Sequence, residues 1–348
     1  MKWNGISKIY YSNGLLRQEI NYKEGLREGY TNEYSLSGKL IEKHYYKDNL
    51  REGVSTSYFD DGSLKSKLFY KHNKLHGKAY YYYQSGVCNE EIDYSDGSCD
   101  GDYKIFYDNS SLKEIIPYKN NKREGTAKQF KRNGLLISET PYREDFIFGE
   151  VKYFYPDGEL KSVVTYKEGI KDGPTKIYYK SGSLKENKNH QNNRVEGKVF
   201  TYYKSGSLKG EWNYSNGKPH GESKFYYEEG ILLGVKNFED GKDNGPTKVF
   251  YKNGNLKEEV EFFPGNKKRN VKKYDIEGKL ILPSIDEEKL INTETDNKNT
   301  GQIKIKSKNE LKGIKKVLII FTKENLKKIA LAAAFIITLY SIVIYLIG

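Results

Sequence analysis

The residues of this chain that could bind a metal ion or act as acid and base are few and widely spaced. The densest group is the segment Asp96–Asp102, whose three carboxylates offer the oxygen ligands that Ca²⁺ prefers. The segment lacks the bidentate glutamate that completes a calcium-binding loop, and aspartate and glycine also form tight turns. The sequence therefore favours a turn over a calcium site.

The five histidines form no recognisable metal or catalytic pattern. Only His72 and His76 are close in sequence, and no cysteine or carboxylate lies at metal-ligand spacing from them. His76 and His220 occupy one slot of an internal repeat but lie roughly 60 Å apart, for strands about 4.8 Å apart. The sequence also lacks a phosphate-binding loop, a nucleophile elbow and a dinucleotide fingerprint. We expect no enzyme activity, no bound metal and no cofactor.

An internal repeat of 24 residues organises most of the chain. The octapeptide YYKSGSLK occurs at Tyr178–Lys185 and again at Tyr202–Lys209. Glycine recurs in the same phase from Gly14 to Gly278 without an insertion, and Ser110 is the one substitute. A fixed period of this length is the signature of a repeat array, in which each unit packs on its neighbours.

Two further series of turn residues keep the same period. One is glycine from Gly5 to Gly245, and the other is glycine, asparagine or aspartate, beginning at Gly25 and Asn49. These residue types adopt positive φ most readily, so the second series predicts a left-handed turn position in every unit.

The side chains between the turns predict one β-hairpin per unit. Three series recur, of which the first is aromatic, the second is leucine with one cysteine, and the third is aromatic with one histidine. The first series is Tyr10, Tyr34, Tyr58, Tyr82, Phe106, Phe130, Phe154, Tyr178, Tyr202, Tyr226, Phe250 and Tyr274. The second series starts at Leu16 and has Cys88 in one unit, and the third starts at Tyr22 and has His190 in one unit. Short runs of this kind, bounded by glycine-containing turns, are typical of hairpins.

The turn residues also suggest which side chains share a face. Triplets such as Ser12-Asn13-Gly14 suit a three-residue loop with a left-handed glycine, which would pair residue 11 with 15 and residue 10 with 16. A two-residue loop would exchange the faces. On the first register, the packed side is formed by the three series that start at residues 10, 16 and 22 and by a fourth, mostly aliphatic series that starts at residue 20. The aliphatic series contains Ile20, Leu68, Ile92, Ile116, Val164 and Val260. A second aromatic series lies beside lysines on the exposed side. Its candidate partner-binding members are Tyr107, Tyr155, Tyr179, Tyr203, Tyr227 and Tyr251. The alternative is that these tyrosines cover the inner face of a rolled sheet.

The repeat resembles the bacterial variant of the MORN repeat, the type found in proteins labelled YwqK-family antitoxins. The resemblance is clearest at Tyr214–Tyr227, and Pro219-His220-Gly221 looks like the His-Gly step of ordinary MORN repeats. Most units have glutamate or aspartate in place of that histidine. The resemblance covers residues 1–282, about eleven and a half units. It implies an all-β, elongated antiparallel hairpin meander that serves as an interaction or membrane-apposition platform. For the labelled antitoxins it implies neutralisation of a partner.

The composition changes twice after the repeats. Residues 283–313 are polar and read as a linker, residues 314–328 are basic, and residues 329–348 contain no charge. Twenty apolar residues as a helix match a bilayer core, so we expect a C-terminal transmembrane anchor. The membrane-proximal lysines are Lys312, Lys315, Lys316, Lys323, Lys327 and Lys328. Because they precede the apolar segment, the repeats are expected to face the cytoplasm. The spacing of Leu311, Ile314 and Leu318 fits either an amphipathic helix on the membrane or a continuation of the anchor.

The net charge of +12 favours lipid over nucleic acid as the acidic partner. Residues 265–328 carry 17 basic and nine acidic residues, whereas residues 1–264 are nearly balanced, with 42 basic and 38 acidic. Nucleic-acid binding is therefore not expected, and the excess charge lies where anionic lipid would be. The two cysteines and the absence of an export signal predict a reducing compartment.

Two functions from different classes remain. The favoured hypothesis is a non-enzymatic, membrane-tethered scaffold that binds a protein partner, which the antitoxin resemblance would make a toxin. The alternative is a membrane-apposition or self-associating structural protein with no dedicated protein partner. Neither the partner nor the oligomeric state follows from the sequence.

Overall fold

All strands of the computed structural model, which describes residues 3–263 and 267–282, belong to one antiparallel sheet. Each long strand pairs with the long strands before and after it, and each two-residue strand pairs only with the strand that precedes it, as in β4 (Leu40–Lys47), β5 (Leu50–Arg51) and β6 (Gly53–Tyr58). The strands therefore form a meander. The described residues up to Ile281 form one compact unit, and no helix lies in the described residues. The predicted array of β-hairpins is confirmed. The predicted linker, basic segment and transmembrane helix lie outside the described residues.

The strands follow the 24-residue period. In the first half of the array they are β1 Gly5–Tyr10, β2 Leu16–Lys23, β3 Leu26–Tyr34, β4 Leu40–Lys47, β5 Leu50–Arg51, β6 Gly53–Tyr58, β7 Leu64–Lys71, β8 Lys74–Leu75, β9 Gly77–Tyr82, β10 Cys88–Ser95, β11 Ser98–Phe106, β12 Leu112–Lys119, β13 Lys122–Arg123, β14 Gly125–Phe130 and β15 Leu136–Arg143. In the second half they are β16 Phe146–Ile147, β17 Gly149–Phe154, β18 Leu160–Lys167, β19 Ile170–Tyr178, β20 Leu184–Gln191, β21 Arg194–Tyr202, β22 Leu208–Ser215, β23 Lys218–Pro219, β24 Gly221–Tyr226, β25 Leu232–Glu239, β26 Lys242–Asp243, β27 Gly245–Phe250, β28 Leu256–Phe263, β29 Lys267–Tyr274 and β30 Leu280–Ile281.

The loop within each hairpin has three residues, as the turn chemistry predicts. In the first unit the Tyr11 N–H donates to the Leu15 carbonyl at 2.8 Å, and the Gly14 N–H donates to the Tyr11 carbonyl at 2.9 Å. Gly14 has φ +82°, which places it in the left-handed region. Ser110 takes the same position at φ +67°, so one unit tolerates the strain that glycine avoids.

The prediction of which side chains share a face is wrong, because a β-bulge follows the loop. Tyr10 pairs with Leu16, but Ile9 pairs with Gln18, so residue 17 is an extra residue on the second strand. The extra residue reverses the alternation of side chains. Series 10 and 16 therefore lie on one face, while series 20 and 22 lie on the other face together with the Tyr11 series.

The most buried residues form two rows that run across the strands. One row is the predicted aliphatic series, in which Ile20 is 3% exposed and Val260 is 5% exposed. The other row is made of small residues, which the sequence analysis missed. Its buried members are Thr31, Ser55, Ala79, Ala127, Val151, Thr175, Val199 and Ser223. The two rows alternate across the ladder, as in the pair of Ala79 and Ile92, so small side chains fit between large ones.

The turn between successive hairpins has two residues and links neighbouring units. At Asp48 and Asn49 the φ values are +48° and +64°, as a type I′ turn requires, so the predicted left-handed series is confirmed. The Asn49 side-chain oxygen accepts from the Arg27 N–H at 2.7 Å, one unit earlier. The Asp48 N–H donates to the Glu28 carboxylate at 3.0 Å. These bonds stack the turns along one edge of the sheet.

The hydrogen bond from the turn to the Glu28 carboxylate explains why glutamate replaces the histidine of the His-Gly step in most units. The Glu52 carboxylate accepts from the His72 N–H at 2.9 Å. In the next unit the His76 ring nitrogen Nδ1 occupies the same place, 3.5 Å from the Asp96 N–H. Either residue type offers an acceptor to the following turn, so both satisfy the repeat.

Candidate partner-binding surface

The two faces of the sheet differ in chemistry. The face opposite the buried rows, which we call the charged face, carries lysine–glutamate pairs between adjacent strands, such as Lys104 with Glu91 at 3.5 Å and Lys128 with Glu139 at 3.3 Å. The face with the buried rows, which we call the tyrosine face, carries the second aromatic series. The glutamates of these pairs are half-buried, and the first aromatic series and the leucine series lie on the same face, so the charged face combines balanced ion pairs with apolar side chains.

The hydroxyl groups of the second aromatic series bind the backbone of the following unit. Eight tyrosines donate to a carbonyl oxygen 23 residues later at 2.7–3.0 Å. The donors are Tyr11, Tyr83, Tyr107, Tyr155, Tyr179, Tyr203, Tyr227 and Tyr251. All six tyrosines that the sequence analysis singled out belong to this set. The sequence predicts that these tyrosines are exposed. They are instead half-buried, because each ring lies against the next unit.

A cation lies over most of these rings because the bulge residue points to the same face. Lys185 lies over Tyr179 with its Nζ 5.7 Å from the ring centroid, and Lys209 lies over Tyr203 at 5.4 Å. Lys257 repeats the contact over Tyr251 at 5.4 Å. The result is a ladder of ring–cation pairs at a spacing of one unit. Such pairs favour the electron-rich faces of the rings and leave the lysine tips in solvent.

A groove of about 390 Å³ opens on the tyrosine face beside Tyr179 and Tyr203, and we call it the Trp212 groove. Trp212 lines it and packs edge to face against Phe225, with ring centroids 4.8 Å apart. Leu233 also lines the groove. Most of the lining is therefore aromatic or aliphatic, as in pockets that take apolar groups of a ligand.

The groove exists because two positions depart from the repeat. Trp212 fills a slot that holds Ile20 and Leu68 in other units. Gly210 fills a slot that otherwise holds mainly glutamate or serine, and a Cβ there would lie 3.2 Å from the Trp212 indole nitrogen. A side chain at residue 210 would therefore crowd the indole. Gly234 occupies the same slot one unit later and also has no side chain there.

The electrostatics of the Trp212 groove are set by its rim. Burial raises the pKa of the Tyr179 hydroxyl, and the nearby charge of Glu228 raises it further. Glu186 lies in the lining and pairs with Lys188 at 2.8 Å, which leaves Lys185 and Lys209 as the cationic groups beside the opening. The groove thus combines an apolar floor with a positive rim.

The other residues with candidate chemistry are not brought together. Asp96 is a turn residue at φ +49°, and Asp102 lies 3.9 Å from the Lys104 ammonium group. Within residues 3–263 and 267–282, Asp96–Asp102 belongs to no cluster of potential metal ligands. Asp96 lies in a turn, as predicted, whereas Asp100 and Asp102 lie in β11.

The predicted membrane-proximal lysines, from Lys312 to Lys328, lie outside the described residues. In the part of the chain that the structure does describe, no helix is long and apolar enough to cross a membrane.

The fold and its spacing define a repeat protein built from β-hairpins. Eight segments of the chain match the model of the MORN repeat variant family, and the chain is a MORN-repeat protein. The segments are residues 3–24, 51–72, 100–120, 149–168, 171–192, 195–216, 219–240 and 243–263. Six of them begin at residues separated by multiples of 24, so they follow the period of the hairpins.

No curated protein matches the chain. One solved structure that matches is described as the crystal structure of TcdB2-TccC3-Cdc42, with 12% sequence identity and a TM-score of 0.17. The match covers 79% of this chain and spans only 15% of the length of the other.

Proposed function

We propose that this chain is a non-enzymatic, membrane-tethered scaffold whose repeats bind a protein partner on the tyrosine face. The observation that carries the proposal is the Trp212 groove, where the repeat departs from its own pattern. A sheet that only had to fold could repeat Ile20 or Leu68 at this slot. An aromatic-lined groove with a cationic rim is instead a common form of anchor site for a protein partner.

The chemistry of the groove indicates the kind of partner. Its apolar lining suits an aromatic or aliphatic side chain, and Lys185 and Lys209 favour acidic residues beside that side chain. The half-buried tyrosines on either side would extend the contact, since tyrosine and tryptophan are enriched at interface hot spots. The six tyrosines from Tyr107 to Tyr251 are therefore proposed as the wider binding surface.

Site-specific cross-linking in the cell of origin tests the surface. A photoreactive residue at Leu233 should capture one stoichiometric protein, whereas the same residue at Lys224 on the charged face should not. Trp212→Leu keeps an aliphatic residue native to this slot and should weaken capture by at least about 30-fold, the effect of losing a hot spot. The matched control, Phe200→Leu on the charged face, should leave capture unchanged. Equal capture from both faces would contradict the proposal.

The membrane tether is proposed from the sequence of residues 329–348 and the lysines before it. Deletion of residues 329–348 should move the protein from the membrane fraction to the soluble fraction. Protease added to intact cells should spare the repeats, because the positive flank keeps them cytoplasmic. Cleavage from outside would reverse the proposed orientation.

The finer proposal is that the partner is a toxin, in the manner of the bacterial YwqK-family antitoxins that the repeat resembles. Co-expression with a toxin encoded beside the gene should restore growth, and Trp212→Leu should abolish that rescue. Rescue that is independent of Trp212 would separate antitoxin activity from the groove. Binding of the repeats to liposomes alone, without a protein partner, would favour the membrane-apposition alternative.

A further inference from the structure

Glu33, Glu42 and His44 lie together on the tyrosine face of the second unit. One ligand atom from each side chain lies within 4.8 Å of the other two. Within the described residues this is the one group of three or more such side chains. The cross-strand register creates it, since Glu33 pairs with Glu42 and Thr31 pairs with His44. Spacing along the sequence did not reveal it, because the ligands come from two strands.

The charges of this Glu–Glu–His cluster call for a cation. Like charges directly opposite each other on paired strands are destabilising. In the described part of the chain, neither carboxylate forms an ion pair with lysine or arginine, and Glu42 pairs with the His44 ring only when that ring is protonated. Their polar partners are the Gln18 amide, 2.8 Å from Glu33, and the His44 ring nitrogen Nε2, 2.9 Å from Glu42.

Two buried polar atoms beside the cluster have no hydrogen-bond partner. His44 is 7% exposed, and its Nδ1 has no partner. Thr31, its cross-strand neighbour, is 1% exposed, and its Oγ1 also has no partner. Buried polar atoms without partners are rare and costly. The two atoms form no hydrogen bond with each other in this structure. A metal on Nε2 would fix the proton on Nδ1 and make it a donor, and rotation of the Thr31 side chain would be needed to bring its Oγ1 into hydrogen-bond distance.

The repeat itself does not require this combination. The slot of His44 holds Leu68 and Ile92 in the next two units, and those of Glu33 and Glu42 hold Ser57 and Ser66 in the next unit. No other unit combines two glutamates and a histidine in these slots. The cluster is therefore a local addition to the sheet.

We propose that Glu33, Glu42 and His44 bind one divalent transition-metal ion, with Zn²⁺ as the best fit. One imidazole and two carboxylates supply three ligands and leave a position for water or a partner's side chain. Ligands around tetrahedral zinc lie about 3.4 Å apart, so rotamer changes of two glutamates close the site. Ca²⁺ fits less well because it takes six to eight oxygen ligands.

Titration of the full chain with ZnCl₂ tests the site. Calorimetry should show one binding event that His44→Leu weakens by at least about tenfold and that Glu33→Gln and Glu42→Gln also weaken. Leucine is native to this slot at Leu68, so that variant should fold. Glu258→Gln, in the slot of Glu42 but beside Val260, should bind as the unmodified chain does.

Two further readouts separate this site from the other histidines and cysteines. Zn²⁺ should raise the melting temperature of the unmodified chain and not that of His44→Leu, because a ligand stabilises the state that binds it. Co²⁺ should give the visible absorption of a low-coordinate site, and this should disappear in the same variant. Identical isotherms and Co²⁺ spectra for the unmodified chain and His44→Leu would overturn the proposal.

Discussion

The hydroxyl group of Tyr203 donates a 2.8 Å hydrogen bond to the carbonyl oxygen of Tyr226, one unit further along the chain. The same bond recurs along the array, so each unit is held to the next by a side chain as well as by its strand ladder. The aromatic surface proposed for partner binding is thus also part of the scaffold. For any variant of these tyrosines, the stability of the sheet must therefore be measured together with partner binding.

Replacing Tyr203 with phenylalanine removes this bond and little else. The free energy of unfolding should fall by about 0.5–1.5 kcal/mol, the usual net value of one hydrogen bond. Urea denaturation measures it. Tyr10→Phe, on an edge strand where the ring is 56% exposed, should change stability by less than about 0.5 kcal/mol. Equal effects of the two variants would mean that the inter-unit bond contributes nothing.

Enlarging the small buried row should destabilise the sheet. Ala79 is 1% exposed between two strands, so Ala79→Leu should cost about 1–3 kcal/mol through overpacking. Cys88→Leu adds a similar volume in the leucine slot and should change stability by less than about 0.5 kcal/mol. The melting temperatures of both variants test this prediction. An unchanged melting temperature for Ala79→Leu would show that the row of small buried residues is not tightly packed.

The turns between hairpins should distinguish glycine from alanine. Asn73 has φ +68°, and its side-chain oxygen accepts from the Arg51 N–H at 2.6 Å. Asn73→Ala loses the bond and keeps the strain, so its unfolding free energy should fall by about 1–2 kcal/mol more than that of Asn73→Gly. Glycine is native to this slot at Gly25 and Gly97. The reverse ranking in chemical denaturation would contradict a type I′ turn.

The stability of the array should depend on pH through His190. Burial lowers the pKa of this imidazole, and the positive charges of Lys188 and Lys171 lower it further. As the pH falls, the unfolded chain therefore takes up this proton at a higher pH than the folded chain does. The free energy of unfolding keeps its full value above about pH 6.5 and falls as the pH drops from there through the lower folded pKa. His190→Tyr, with the residue type of most other units, should flatten the melting temperature between pH 7 and 5. His72→Asn, in an exposed turn, should retain the slope of the unmodified chain.

Deleting one complete unit should be tolerated better than deleting half of one. Removal of residues 173–196 joins equivalent positions, so the hydroxyl and turn bonds between units can form again. Removal of residues 173–184 puts the wrong strand beside each neighbour. Circular dichroism and thermal melting should show a folded, shorter array only for the first deletion, and similar melting of both would argue against the repeat register.

The period and the turns could be predicted from the sequence because they depend on local chemistry. Glycine, asparagine or aspartate at every 24th residue favours positive φ, and Gly14 favours a three-residue loop, independently of the rest of the chain. The Trp212 groove also left a signal, since Trp212 and Gly210 depart from their slots.

The assignment of side chains to faces was decided by the tertiary structure. A single bulge residue after the loop moves Leu16 and Ile20 to opposite faces, and the alternating pattern does not reveal it because both faces carry aromatic residues. The same register brings Glu33 opposite Glu42 and places His44 beside them. The sequence by itself determined the repeated hairpin and its turns. Only the pairing between strands decided which residues meet, because contacts across a sheet depend on register and not on distance along the chain.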